Sequence, residues 1–532
     1  MKALLFCLAA GSIFAAETAV DFAAEGKLWW AHIQFLADDK LEGRNTGSEG
    51  YRMAARYVAT QFEKMGLKPG GVGGYEQPVK FETRTLRAEE SSLALVKGFA
   101  TEPLEPGKDA TLTSRGESTG IVTAPLVFVG YGLVIPEANY NDIAGLDLKG
   151  KIAVYVNAPG PVEASGNVKS HYSSAVERWD ALHRAGAIGL ASIANPRVPL
   201  PDPGATGGRG GRGGRAGGPP AAQPNFILAD PELRENQGLQ VAITIARAGG
   251  EKFFVNSGHT FEEILKLAAE NKPLPTFPLA ASLIAKTGVT TGTAEAPNVV
   301  GILPGSDPKL KDEYVVFSSH LDHLGTGRPG AMDNASGVAS VLEVARLFKE
   351  SGYKPKRSII FVTVCGEEKG ELGSRYFASR PTVPFKQIVA DINLDMFLPL
   401  YNLKVLEVQG LAESTLGEQI RAAAKAEGVD IQTDREPEQN RFIRSDQYSF
   451  IRQGIPALAF KFGYEFGSPE EKTRTEWVKT IYHKGGDDLK QPVDTASAAR
   501  FDRVIFGLLQ RIADNPMRPQ WLPESFFKRF AK

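Results

Sequence analysis

Between residues 291 and 515 the apolar and polar positions follow two alternating rhythms. Short, almost continuous apolar runs (EYVVFSS, SIIFVTV, IVADINLDMF, IPALAFKF) alternate with longer stretches in which apolar residues recur every three or four positions. The longer stretches are SGVASVLEVARLFKESG, ELGSRYFASR, STLGEQIRAAAKAEG and TASAARFDRVIFGLLQRIAD. The first kind predicts strands covered on both faces and the second predicts amphipathic helices. Their alternation predicts an α/β fold, with a mostly parallel central sheet and helices on both faces. Upstream, WWAHIQFLADDKLEGR and SEGYRMAARYVATQFEKMGL carry helical spacing, the second closed by Gly66. From about residue 85 to 290 the texture changes to short β-rich runs (SSLALV, APLVFVGYGLVI, GKIAVYVN, QVAITIA), with one helix, AVERWDALHRAGA, among them. The pattern predicts a β-rich α+β domain, 85–290, inserted into a domain made of 17–84 and 291–515, with a tail over 516–532.

Composition narrows the class. The 532 residues are 42% hydrophobic and 23% charged, and 61 Lys plus Arg against 62 Asp plus Glu leave a net charge of -1. Nothing in that balance points to nucleic acid or an anionic membrane as the main partner. The opening MKALLFCLAAGSIFAAET has one basic residue, an apolar core and small residues, so 1–16 reads as a signal peptide cleaved near Ala15 or Ala16. No later stretch approaches the ~18 apolar residues of a membrane span. The expectation is an exported protein, periplasmic or extracellular. Cys7 departs with the signal, which leaves Cys365 without a disulfide partner and best read as a small buried hydrophobe. The Gly/Arg-rich stretch 205–220 has almost no side chain to bury. Arg-Gly-Gly repeats elsewhere bind RNA, but here the stretch reads as a loop.

Chemistry gathers at the strand ends, where ligands of α/β sheets collect. EYVVFSS runs into His320-Leu321-Asp322-His323, and Asp333-Asn334-Ala335-Ser336-Gly337 opens the next helix. SIIFVTV leads to Glu367-Glu368, IVADINLD ends at Asp395, and Tyr482-His483 to Asp487-Asp488 precedes the last helix. Imidazole with carboxylate suits zinc and similar divalent ions. Five ligands sharing one carboxylate can hold two metals about 3.5 Å apart. Each residue also has a plain structural account: Asp333 as a helix cap, or the paired glutamates as a solvated turn. Their occurrence together, in order, at successive strand ends outweighs those accounts.

Taken as a series, His320-Leu321-Asp322, Ala331-Met332-Asp333-Asn334-Ala335-Ser336-Gly337, Glu367-Glu368, Asn393-Leu394-Asp395 and Tyr482-His483 resembles the motifs of the di-zinc aminopeptidases of metallopeptidase family 28. Ser445-Asp446-Gln447-Tyr448-Ser449-Phe450 resembles a segment beside the substrate pocket, and the insert resembles a protease-associated domain. The resemblance implies two Zn2+ ions, one held by His320 and Asp395, the other by Glu368 and His483, with Asp333 bridging. It implies Glu367 and Asp322 as the catalytic pair. Glu367 would take the proton of a bridging water, and Asp322 would act by hydrogen-bonding His320; Asp487 would support His483 in the same way. His323 matches no ligand and is left as a turn or supporting residue. Where relatives have histidine this chain has Gln447, so oxyanion stabilisation falls to Gln447, Arg444, Tyr448 or Arg441. The implied activity is an exported aminopeptidase acting on peptide substrates. A glutaminyl cyclase-like enzyme and a non-catalytic receptor or scaffold stay open, as do oligomeric state and amino- versus carboxypeptidase preference.

Overall fold

A computed structural model describes residues 20–117, 119–198 and 223–531. The expected signal peptide, 1–16, and the Gly/Arg-rich stretch 205–220 lie outside the described residues.

Four parallel strands form the centre of the main sheet, in the order Ser358–Val364, Tyr314–His320, Ile388–Leu394, Ala457–Phe462. Every residue of Ser358–Val364, Ile388–Leu394 and Ala457–Phe462 is buried, as strands sandwiched between helical layers must be. Both wings turn antiparallel. On one side come Val289–Leu303, Glu76–Leu86 and Asn225–Leu228; on the other, Val405–Gln409 pairs antiparallel with Ala457–Phe462. Alternation along the strands separates two cores. Val315 and Phe317 face one that includes Trp29, Val58, Leu342 and Phe501, while Val316, Ile360 and Val362 face another with Phe377 and Phe450.

The helix Thr495–Asp514 shows why the periodic stretches fold as they do. Asp494 caps its first turn by accepting from Ser497 N at 2.9 Å, and Ala498, Phe501, Ile505, Leu508 and Ile512 form the buried stripe. One prediction fails locally. WWAHIQFLADDKLEGR is helical only to Leu36; the chain then makes a tight turn over Asp39–Arg44, with Glu42, Gly43 and Arg44 at positive φ. Asp38, accepting from Lys40 N at 2.9 Å, diverts the backbone there.

Register and connectivity place the site. Ser319 pairs with Thr363 on one side and Leu394 on the other, so the three central strands end level. Tyr314–His320 is followed by the helix Ser336–Ser351 and then by its neighbour on one side, whereas the strand on its other side comes later in the chain. The connection thus reverses direction at Tyr314–His320, and a crevice opens where crossovers leave in opposite directions.

The 85–290 stretch builds a second, eight-stranded mixed sheet around its own core of Leu126, Phe128, Val154, Ile243 and Leu283. Two long strands carry the chain into and out of it, paired from Val289–Leu86 down to Val299–Glu76. It is not wholly self-contained: Asn225–Leu228 leaves it to pair with Glu76–Leu86 and extends the main sheet.

Candidate metal centre

Asp333 is the hub. Its Oδ1 lies 3.4 Å from His320 Nε2, and its Oδ2 lies 3.1 Å from His483 Nε2. Around the first oxygen, His320 Nε2 is also 3.6 Å from Asp395 Oδ1; around the second, His483 Nε2 is 3.4 Å from Glu368 Oε2. All five residues expected to be ligands converge, each from a different strand end or loop, with the two oxygens of one carboxylate facing two separate groups.

The fit to metal is tested by what these atoms lack. His320 Nε2 and Glu368 Oε1 are buried without a hydrogen-bond partner, a costly state unless a cation completes them. Two triads, His320/Asp333/Asp395 and His323/Asp333/Glu368, hold their ligand atoms within 4.8 Å of one another. The donor set of imidazole nitrogens and carboxylate oxygens suits zinc. Burial disfavours a charged His483, yet Glu368 and Asp333 overcome it and push the imidazole up to about 10. Burial likewise opposes a charged His320, but Asp333 and Asp395 carry it well above the ordinary value.

Local structure explains how each ligand is aimed. Asp333 sits in an irregular turn, Ala331–Ala335, before the helix begins. Asn334 ties that turn to two strand ends, donating to Ser319 Oγ at 3.0 Å and Leu394 O at 2.8 Å while accepting from Gly337 N at 3.1 Å. The Asp333–Asn334 peptide is cis. Glu367 and Glu368 follow the strand Ser358–Val364, whose end is held by Asn298 accepting from Cys365 N at 2.9 Å. Burial drives the Glu367 carboxyl well above the usual range; His320 opposes this, and Asp395 and Glu368 reinforce it. Cys365 is fully buried, with no exposure for a nucleophile.

Four expectations need correction. Asp322 does not hold His320 through its carboxylate: His320 Nδ1 meets the Asp322 main-chain oxygen at 3.1 Å. The carboxylate instead accepts from Thr46 Oγ1 at 2.8 Å and from the amides of Glu367 at 3.1 Å and Glu368 at 3.3 Å, so it sets the glutamate turn. Asp487 supports Asp333 rather than His483, accepting from Met332 N at 2.8 Å and Asp333 N at 2.9 Å. Gln447 is consumed internally. Its amide nitrogen donates to Phe442 O at 3.0 Å and Arg441 O at 3.2 Å, and its oxygen accepts from Asn393 Nδ2 at 2.8 Å. Tyr448 meets His171 of the second sheet's domain, hydroxyl to Nδ1, at 2.5 Å. Arg444 remains near the centre: with Arg441, Lys461, Gln409, Gln439 and Asp395 it lines a narrow polar cavity.

Sequence reasoning missed Arg44. It is fully buried, and its guanidinium donates to Leu321 O at 3.0 Å, Pro329 O at 2.7 Å and Gly330 O at 3.0 Å, with a further bond to Leu36 O. It thereby clamps the loops on either side of Asp322 and Asp333. Its only signal was an arginine amid turn residues, DDKLEGRNTG.

Comparison with known proteins follows the same lines. Residues 298–509 match the family model described as Peptidase family M28. The chain is 28% identical over 239 residues to leupeptin-inactivating enzyme 1 of Streptomyces exfoliatus, a match covering 43% of this chain and 52% of that one. It is 25% identical over 394 residues to carboxypeptidase Q of Xenopus laevis, covering 72% of this chain and 69% of that one. Its fold is similar to that of an aminopeptidase from Aneurinibacillus sp. strain AM-1, with a TM-score of 0.54, 22% identity, and coverage of 93% of this chain and 95% of that one. The match thus spans about half the length of the Streptomyces relative. Over residues 298–509 the chain is thus similar to peptidase family M28.

Proposed function

We propose that the protein is an exported, zinc-dependent exopeptidase, an aminopeptidase that removes N-terminal residues from peptides. The observation that carries this reading is the two-sided placement of Asp333, with His320 and Asp395 against one oxygen and His483 and Glu368 against the other. These five residues would hold two Zn2+ ions. Bound zinc would supply Lewis acidity toward the scissile carbonyl and toward water.

The remaining chemistry belongs to the chain. Glu367 is held beside the centre by its own amide, which donates to Asp322 Oδ1. In this reading its carboxylate accepts the proton of the attacking water and returns it to the leaving nitrogen. The domain carrying the second sheet contributes none of the five ligands, and in this reading it restricts which peptides reach them. The signal-like N-terminus supports export.

A second reading has its own support. Arg441, Arg444 and Lys461 line the cavity beside Asp395, and cations placed there suit a substrate carboxylate. Carboxypeptidase action, or preference for an acidic residue, would use that charge. Hydrolysis by purified, zinc-loaded protein separates the readings. Aminopeptidase action requires cleavage of free-amine dipeptides and C-terminal amides, with N-acetylated peptides inert; the reverse pattern would establish the carboxypeptidase reading. No hydrolysis of either series would overturn both.

A further inference from the structure

His323, expected as a turn or supporting residue, lies inside the centre. It is fully buried, and its Nδ1 approaches Glu368 Oε1 to 2.8 Å and Asp333 Oδ2 to 3.8 Å. By distance this contact would suit a charge-assisted hydrogen bond, but its angles fall outside hydrogen-bond geometry, and His323 Nδ1, His323 Nε2 and Glu368 Oε1 are all left buried without a partner. Two buried lone-pair atoms at that separation, both turned toward Asp333, converge as ligands do on a shared ion.

The backbone fixes the ring there. His323 N donates to Arg44 O at 3.2 Å. On the other side Gly330, at φ +66, leaves room for the ring: a Cβ on it would fall 2.6 Å from His323 Cγ and 2.4 Å from Asp333 O. His483 stands across the site, its ring centroid 5.9 Å from that of His323.

We infer that His323 is a fourth protein ligand of the metal position formed by Asp333, Glu368 and His483. This inference rests on the di-metal reading above. It makes the centre asymmetric, with four protein ligands on the His483 side and three (His320, Asp333, Asp395) on the other. Closed four-ligand positions serve as tight structural sites, whereas three-ligand positions keep a place for water or substrate. The His483 side therefore holds its metal tightly, and the exchangeable metal lies on the His320 side.

Cobalt(II) is the probe. In His323→Cys the introduced sulfur becomes a cobalt ligand, so a thiolate-to-cobalt charge-transfer band is expected that the parent, with Cys365 buried, does not show. A folded His323→Cys protein that binds two cobalts per chain without the band overturns the inference and leaves the di-metal reading standing. His323→Asn supplies the second arm, because its amide can hydrogen-bond Glu368 but is a poor ligand. It is expected to lose the tight metal by more than about 100-fold in affinity, beyond the 10–100-fold typical of losing a ligand's hydrogen-bond partner. Retention of both metals at parental affinity in His323→Asn reduces His323 to a positioning residue. A parent that binds no divalent metal overturns the di-metal reading and this inference together.

Discussion

On the proposed reading, Glu367 and Glu368 divide the work from the turn that follows the strand Ser358–Val364. Glu368 reaches His483 and His323, whereas the half-buried Glu367 carboxyl feels the charges of His320 and Asp395. Glu367→Gln keeps the size and removes the proton acceptor. Turnover is expected to fall about 10²–10⁴-fold with the metal content unchanged. Glu368→Ala is expected to lose metal from the His483 side. Metal per chain measured alongside turnover checks both; a Glu367→Gln protein that loses metal while Glu368→Ala retains it would reverse the roles. The five proposed ligands were expected from the motif resemblance, and the structure brings their side chains together. The partners of Asp322, Asp487, Gln447 and Tyr448 were not legible, because each depends on which loop folds over it.

At the scale of elements, the level ends of three strands and one compact helix start do the positioning. Gly337 opens the helix Ser336–Ser351 where a Cβ would fall 2.4 Å from Asn334 Oδ1, 2.5 Å from Ser319 Oγ and 2.9 Å from Leu394 O. Those atoms are already locked to one another by the Asn334 hydrogen bonds and cannot give way cheaply. Gly337→Ala gains up to about 1 kcal/mol in helix propensity. The overpacking costs about 1–3 kcal/mol, and in so constrained a site it wins. The expected result is a lower denaturant midpoint together with weaker metal binding, since the same turn carries Asp333. A Gly337→Ala protein as stable as the parent would show that the turn relaxes freely.

Across the whole molecule, the part built around the second sheet is tied to the part built around the main sheet by polar and aromatic contacts. Arg452 donates to Glu177 Oε1 at 3.0 Å, and His171 binds Tyr448 among the rings of Tyr172, Phe526 and Phe530. Burial lowers the His171 imidazole to about 4, and Arg452 adds to this, although Glu177 Oε2 stands 3.6 Å from its Nε2. The unfolded chain takes up this proton near the ordinary value of about 6.5, so it binds more protons than the fold between about 6.5 and 4. Stability present above that window is lost as the pH falls through it, on the order of 3 kcal/mol for this group. In His171→Phe the loss of stability over that interval should be correspondingly smaller when unfolding is followed in urea. Parallel pH profiles for the two proteins would exclude the effect. On the di-metal reading each bound metal would also stabilise the whole fold, by about 2.7 kcal/mol at a free concentration of 100 times Kd. Chelation is therefore expected to lower the melting temperature, and an unchanged value in protein shown to be metal-free would contradict this.

By itself the sequence determined the elements and the chemistry. Apolar runs such as SIIFVTV and periodic stretches such as TASAARFDRVIFGLLQRIAD each bury their apolar side in only one regular way, and the strand Ser358–Val364 and the helix Thr495–Asp514 follow them. Histidine and carboxylate at successive strand ends likewise carry their meaning in residue type and order. Tertiary structure alone decided which atoms meet. Asn225–Leu228 crosses to the main sheet, Arg44 folds back onto loops more than 270 residues away, and His171 closes on Tyr448 from a different domain. His323 shows the limit most clearly. One histidine among turn residues has no period and no spacing to mark it. Its place opposite Glu368 follows from the register of two strands, the positive φ of Gly330 and the burial of two lone pairs that nothing local could satisfy.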